Sequence, residues 1–501
     1  MRSGKHTRGG TPPAIVWLRQ DLRLADNPAL QAACRPGGPV VPAFIWAPEE
    51  EGAWPPGGAS RWWLHQSLAR LAGELRTAGA ELVICRGPSL AGLLRLAKAT
   101  GAGEVFWNRR YEPAIIARDQ QVEAALRAAG LQTEHCHGAL LHEPETIRNQ
   151  AGQPFRVFTP FGRTCLAVGE PDEPLPALRK LTAPPRRPAS LPLAALELEP
   201  KLAWTDGLRA AWQPGSAGAK AELQRFLRDG LLTYDEGRNR PDRVGTSRLS
   251  PHLHFGEISP RQVWQAARRF AESQSIPAMV WRRWQFLAEL GWREFAHHLL
   301  FHFPHTAEQP LRPEFARFPW RKNAAWLRAW QRGQTGYPFV DAGMRELWTT
   351  GWMHNRVRMV VASFLAKNLL LPWQEGARWF LETLVDADLA SNTLGWQWTA
   401  GCGADAAPFF RIFNPVSHGE KFDPEGSYVR RWVPELARLP AAWIHRPSEA
   451  PPAVLAAAGV ELGRTYPHRV VSPLISREVA LEAYQRMRRT PERVESPITG
   501  R

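Results

Sequence analysis

DADLASN at Asp386 to Asn392 puts two carboxylates and an amide into one short stretch, and GWQW at Gly395 to Trp398 follows with two indoles two positions apart. Spaced acids beside paired Trp make a polar edge next to an aromatic wall, which suits a large planar polar ring. GTSRLS at Gly245 to Ser250 offers hydroxyls, an Arg and backbone N–H groups just ahead of a helical stretch. Such a segment can hold a pyrophosphate; the same residues serve equally as a helix cap. FLAELGWREF sets Glu289, Trp292 and Arg293 about one turn apart, hence on neighbouring helix faces. That pattern fits a cavity wall, and it also fits a core Trp flanked by solvated charges. In GWMHNRVRMVVASF, Asn355 and Met359 lie four apart on one helix face.

Three regions must position these groups. Residues 14–137 alternate apolar runs (AIVWL, VVPAFIW, ELVIC, EVFWN) with amphipathic stretches at Arg61 to Thr77 and Ile115 to Ala128. Strands alternating with helices predict a parallel sheet covered on both faces, an α/β domain of Rossmann-like type. No GxGxxG follows the first strand, so the dinucleotide fingerprint is missing. Residues 138–214 form an interdomain linker in which eight prolines from Pro171 to Pro200 preclude long regular elements. From Ser216 the spacing is helical: Ala219 to Arg228, Trp281 to Phe301, Asp341 to Trp348, Asn355 to Leu370 and Gly376 to Leu384. The expectation is a mostly α-helical domain over 215–501, and a basic tail over 1–13.

At 501 residues the chain exceeds one hydrophobic core. No apolar run approaches the ~20 residues of a membrane span, and no targeting segment is visible, which places the protein in the cytoplasm. The five cysteines are scattered without a CxxC pair, which argues against disulfides and metal sites. A net charge of +15 favours a polyanionic partner. However, 55 of the 63 basic residues are Arg, so a GC-rich genome would explain the excess as well.

Taken together, these motifs resemble the photolyase/cryptochrome family over nearly the whole chain, from VWLRQDLRLADNPAL to GVELG. The resemblance implies a light-driven DNA-repair enzyme with noncovalent FAD and UV-damaged DNA as partner, acting as a monomer. The implied FAD-binding set is Tyr234, Thr246, Ser247, Arg248, Leu249, Ser250, Arg358, Asp386, Ala387, Asp388 and Asn392. Arg358 would pair with Asp386, and Asn392 would face flavin N5. Trp320, Trp373 and Trp396 match the family's electron-transfer triad. Glu289, Trp292 and Trp398 would border the lesion. Asn355 and Met359 stand where members that repair six-four photoproducts carry His, which implies repair of cyclobutane pyrimidine dimers. Arg238, Arg293, Arg356, Arg411, His418 and Lys421 are the implied DNA contacts. FHFPHTAEQPLRPEF and GYPFVDAGMRELWTTGWMHNR bring the chain closest to photolyases of the plant-cryptochrome-like class. The rival reading is a blue-light photoreceptor without repair activity; the retained DAAPFFRIFNP segment and Asn392 oppose it. WNRRYEP at Trp107 to Pro113 marks the antenna region. The usual folate contacts are replaced there by Ala114 and Ile115, so the expected second chromophore is a methenyltetrahydrofolate in an altered site.

Overall fold

A computed structural model describes residues 11–489. The basic segment 1–10, expected as most of a loose tail, lies outside them. Five short strands build the first domain: β1 Ala14–Leu18, β2 Val40–Trp46, β3 Val83–Arg86, β4 Glu104–Asn108 and β5 Gln132–Cys136. All pair in parallel, in the order β3-β2-β1-β4-β5. β1 and β2 are buried along their whole length, as strands covered on both faces must be. β5 was not anticipated: QTEHC is an edge strand with no apolar alternation, and it presents mostly exposed positions.

Helices Gly58–Thr77 and Pro113–Ala128 cover the sheet where their spacing predicted. Pro28–Cys34 and Ser89–Thr100 complete the layers. The linker departs from expectation by holding an 11-residue helix, Phe158–Val168. It ends before the first of the eight prolines, and its own Pro160 sits in the first turn, where a missing N–H costs no helix bond. Beyond it, Leu181, Leu196 and Leu198 are buried in the same cluster as Trp62, Trp63 and Leu68, so the linker is part of the first domain's packing.

The helical domain departs from simple periodicity at two places. The stretch from Trp281 to Phe301 divides into Ala278–Trp281 and Gln285–His302. The stretch from Asn355 to Leu370 is α-helical to Ser363, turns π-helical over Phe364–Asn368, and ends at Leu370 in a left-handed conformation (φ 54°).

Two buried carboxylates join the domains. Glu257, 2% exposed, accepts bonds from Trp63 Nε1 (3.0 Å), Gly215 N (2.7 Å), Ser67 Oγ and the His252 ring. Asp26, fully buried, takes two bonds from Arg261 (2.8 and 3.1 Å) and one from Ser259 Oγ. Arg23 completes the joint by donating to the carbonyls of Asp26, Gly138 and Gly256.

Removing one of these carboxylates strands its donors. Glu257→Ala leaves Trp63 Nε1 and Gly215 N buried without an acceptor, so destabilisation of about 3 kcal/mol is expected. Denaturant unfolding measures it, and a loss below about 0.5 kcal/mol would remove Glu257 from the joint.

Candidate functional site

The segment before the loop 246–250 crosses the turn at Tyr234–Gly237 so closely that a Cβ on Gly245 would meet the Gly237 carbonyl oxygen at 2.4 Å. Only Gly permits that approach. Tyr234 packs edge-on against Phe226 and Phe286, and burial together with Glu289 pushes its phenol well up. Arg225 ties the loop through the Thr246 carbonyl (2.9 Å). The Ser247 hydroxyl accepts the Leu249 N–H (3.4 Å), and Leu249 is buried. Ser250 Oγ donates to Asp386 (2.6 Å), which Arg358 also grips at 2.9 and 3.1 Å. The phosphate-type loop and the acidic stretch are thus fastened together across 136 residues.

Arg248 is the exception. Its backbone is left-handed (φ 53°). Its guanidinium lies between the rings of Trp212 (4.0 Å) and Trp352 (5.4 Å), with a bond to the Ala211 carbonyl. The side chain expected with the diphosphate set instead holds the loop from behind, because a planar cation gains more between two indole faces than at an exposed edge.

Asp388 caps helix Leu389–Ala400 by accepting the Ser391 N–H (2.7 Å). Its other neighbours are His297 Nε2 at 3.3 Å and His254 Nδ1 at 3.9 Å. Burial alone would raise the Asp388 carboxyl, but the two imidazoles hold it well below the usual range. Burial would lower His297, and Asp388 reverses that. Asn392 donates its amide N–H to the Ala377 carbonyl (3.0 Å). Sequence reading missed both His residues. His297 had a usable signal, since Glu289, Arg293 and His297 form an i, i+4, i+8 stripe on one helix.

Trp396 and Trp373 are buried, at 2% and 1% exposure, whereas Trp320 is partly open. The helices carrying the first two meet through Gly376, where a Cβ would lie 2.0 Å from the Trp396 ring. Trp320 packs on Phe318 with centroids 4.4 Å apart. Of the three, only Trp320 reaches the surface. Trp330, not anticipated, stands 6.1 Å from Trp396.

A second group gathers at the rim. Arg238 pairs with Glu289 (2.7 Å), which also accepts from Gln285 (2.8 Å). Arg356 bonds Asn239, lies over Phe422 (4.8 Å) and approaches the Met359 sulfur (3.6 Å). Asn355 is exposed at the start of that helix. Trp398 stacks on Phe413 (6.3 Å), and His418 packs against Phe413 and Phe422. Arg411 and Lys421 are exposed beside the same two rings. Burial lowers the His418 imidazole, and Arg356, Lys421 and Arg411 add to the effect. Trp292 stacks flat on Phe158 (3.9 Å, 13°), so one of its faces is already covered.

Arg293 does not join this rim. It donates to the Ala139 carbonyl (2.9 Å) and lies 3.7 Å from Glu294. There it lines a small cavity between the domains with His297 and Asp388. The linker carbonyl draws it inward.

A larger cavity opens between the domains, with about 210 Å³ open to the centre of a water molecule. Gln20, Arg110, Glu112 and Ala114 line it from one side, and His254, Gln309, Ala387 and Leu389 from the other. Gln20 and Arg110 follow the carboxyl ends of β1 and β4, where the strand order reverses and α/β sheets bind ligands. Among the described residues no group of three or more His, Cys, Asp or Glu could hold a metal ion, all five cysteines are free, and no helix is long and apolar enough to cross a membrane.

A doubly wound sheet locked to a helical domain, with hydroxyls, a left-handed loop and an Arg-paired carboxylate converging, defines a two-domain flavoprotein architecture. The model for the FAD binding domain of DNA photolyase matches residues 286–486, and that for DNA photolyase matches 14–180. A deoxyribodipyrimidine photo-lyase of Agrobacterium fabrum is 49% identical, over 96% of this chain and 99% of its own. Cryptochrome-1 of Arabidopsis thaliana is 43% identical, over 91% of this chain and 68% of its own. The crystal structure of a bacterial class III photolyase from Agrobacterium tumefaciens superposes with a TM-score of 0.93 at 48% identity, covering 97% of this chain and all of that one. The chain belongs to the photolyase/cryptochrome family of FAD-binding proteins.

Glu346 supports the floor under Arg248 and Arg358. It is buried, accepts the Tyr428 hydroxyl (2.6 Å), and burial raises its carboxyl from 4.5 to about 7. Between those values the folded chain holds a proton that the unfolded chain has released, so stability falls as pH rises through that window. Glu346→Gln should abolish this decline and leave the variant more stable than wild type at pH 8. Melting curves from pH 5 to 8 test it, and parallel profiles for the two proteins would contradict it.

Proposed function

We propose that the protein splits cyclobutane pyrimidine dimers in DNA using light, with FAD in the helical domain. The observation that carries this reading is the rim, where Arg238, Arg356, Arg411, His418 and Lys421 surround Glu289, Met359 and Trp398. When bound, reduced FAD supplies the light absorption and the electron that opens the dimer ring. The residues present fit that group. Thr246 and Ser247 offer hydroxyls, and the loop 246–250 backbone N–H groups, to a diphosphate, the Gly237–Gly245 crossing leaves room for close approach, and Ser250 and Arg358 fix Asp386 at the polar edge. One N–H of the Asn392 amide is anchored on the Ala377 carbonyl, which fixes the side chain that would face the flavin. Trp396 and Trp373 supply buried, easily oxidised rings, and Trp320 a partly open one.

A dimer inside a duplex cannot reach a buried site, so it must flip out at a cost of a few kcal/mol, which damage reduces. Arg356, Arg411 and Lys421 neutralise the flanking phosphates. Glu289, held by Arg238, accepts from the flipped base, while Trp398 and the free face of Trp292 enclose it. Asn355 and Met359 provide an amide and a thioether where six-four chemistry needs an acid, which favours the cyclobutane dimer. The interdomain cavity fits a light-harvesting second chromophore, for which we propose a methenyltetrahydrofolate. It adjoins the Trp107–Pro113 segment and includes Ala114 in its wall.

Purified protein is expected to release FAD on heating and, under blue light, to repair an oligonucleotide carrying a cyclobutane dimer but not one carrying a six-four lesion. No light-dependent repair of either would favour a photoreceptor, and repair of the six-four lesion alone would reverse the substrate assignment. Arg411→Ala should lower the log–log salt slope of lesion-DNA binding by about one, as for a lost phosphate contact, with the flavin spectrum unchanged; an unaltered slope would take Arg411 off the DNA face.

A further inference from the structure

Lys367 is 0% exposed. It lies in the π-helical turn Phe364–Asn368, among Phe364, Leu365, Ala366 and Leu369 of the helical domain's largest apolar cluster. Turns of this kind occur mostly as single bulges and frequently at functional sites. A buried amine must find acceptors. Those of Lys367 are the carbonyls of Arg411 (3.1 Å) and Pro408 (3.5 Å), with the Phe409 ring 5.3 Å away. All three partners belong to the segment between helices Leu389–Ala400 and Pro415–Phe422, which contains no helix or strand.

Such a segment keeps its shape only through bonds to its surroundings. At its start Gly401, Cys402 and Gly403 bond back to the Gln397 carbonyl, and the Cys402 carbonyl accepts the Arg312 N–H (2.9 Å). Over 404–413 the bonds to the surroundings are few: Ala407 N to the Trp398 carbonyl (3.2 Å), Phe413 N to Ser363 Oγ (3.2 Å), Phe158 N to Asp405 Oδ2 (3.3 Å), and the two from Lys367. Two things hold its middle: the buried Phe409 ring stacks on Tyr484 (4.8 Å), and Lys367 bonds the backbone itself, at the carbonyl of exposed Arg411. Packing does not require a charge there, since an apolar side chain of similar volume fills a core without the desolvation cost.

We infer that Lys367 is a positioning residue for DNA capture: its amine fixes the Pro408 and Arg411 carbonyls and so sets where Arg411 and Phe413 stand at the rim. This rests on the reading of that rim as the DNA face. The titratable and charged groups acting on Lys367 are Cys402 and Arg411; helix Pro473–Arg489, packed against the same turn, contributes the neutral Ser476 through Asn368 and the Tyr484 ring stacked on Phe409. Burial draws the Lys367 amine from 10.5 down to about 7, while burial pushes the Cys402 thiol up to about 12. Between pH 7 and 9 the raised Cys402 thiol keeps its proton, and the His418 imidazole, already lowered, is neutral. An opened segment would hydrate the amine and restore its ordinary affinity for a proton. Docking therefore releases a proton above pH 7, and it strengthens as pH rises from there.

The test uses the FAD-loaded full chain. Amide exchange of 404–414, corrected for the intrinsic effect of pH, and light-driven repair of dimer-containing DNA are measured for wild type and Lys367→Met. In the variant, exchange across 404–414 should rise and KM for lesion DNA should increase several-fold. The rate at saturating DNA and the flavin spectrum should stay unchanged. Protection of the same amides should grow from pH 7 to 9 in wild type and stay flat in the variant. Equal exchange in the two proteins, or a lower saturated rate at unchanged KM, overturns the inference. If the variant fails to load FAD, the wild-type pH profile decides alone, and protection that does not grow overturns it. Arg411→Ala separates this inference from the reading beneath it. If Arg411→Ala leaves lesion binding intact, the DNA face itself is misassigned. If Arg411→Ala weakens binding and Lys367→Met does not, only the positioning role falls.

Discussion

Asp26 and Glu257 carry carboxylates into a dry interface, and the remainder of the architecture depends on how they are satisfied. An ionised carboxylate out of water is tolerated only when donors surround it. Glu257 draws donors from the helix Gly58–Thr77, from Gly215 and from His252. Asp26 draws them from Arg261 and Ser259. Each carboxylate takes donors from the domain opposite its own, so neither is satisfied unless sheet and helices are docked in one orientation. Apolar contact alone would permit sliding; hydrogen bonds with fixed directions do not. The interdomain cavity and the acidic stretch at Asp386 to Asp388 inherit their geometry from that lock.

Within the helical domain the same principle recurs at smaller scale. Asp386 is held by Ser250 and Arg358, and Asp388 by the Ser391 N–H and His297. Two negative charges two residues apart would repel and disorder their segment if left bare. Paired with cations and N–H groups from four different stretches, they become fixed points on which the phosphate-type loop and helix Leu389–Ala400 are hung. Arg248 adds a support from behind, clamped between Trp212 and Trp352. The abundance of Trp here has a mechanical side as well as an electronic one: broad rigid rings wedge Arg side chains and helix crossings such as Gly376 against Trp396.

Much of this was legible in the sequence, because the signals involved are local. Short continuous apolar runs announced four of the five strands, and helical spacing announced Gly58–Thr77 and the helical domain. The acidic stretch, the Ser/Thr loop and the Trp triad stood out by composition within windows of a few residues. Their shared resemblance to one family then ordered them into a flavin site and a lesion wall. Strand β5 escaped because an edge strand need not bury either face, so QTEHC carries no periodic mark. The helix Phe158–Val168 escaped because it is a single short element, with Pro160 in its first turn, at the edge of a proline-rich stretch.

What the sequence determined by itself was therefore the inventory of elements, the family, and the candidates for each chemical role. Tertiary structure alone decided which of those side chains meet. Glu257 and Trp63 are 194 residues apart, and Ser250 and Asp386 are 136 apart. No local pattern reports such pairs, because bonding across them depends on how two domains dock. For the same reason Arg293, one turn from Glu289, turned inward to the Ala139 carbonyl while Arg238 took the place beside Glu289. Lys367, unremarkable within an apolar helix, acquired its partners only when the chain folded back some forty residues later. Helical spacing gives a residue its face, but what lies opposite that face is set by the packing of distant chain.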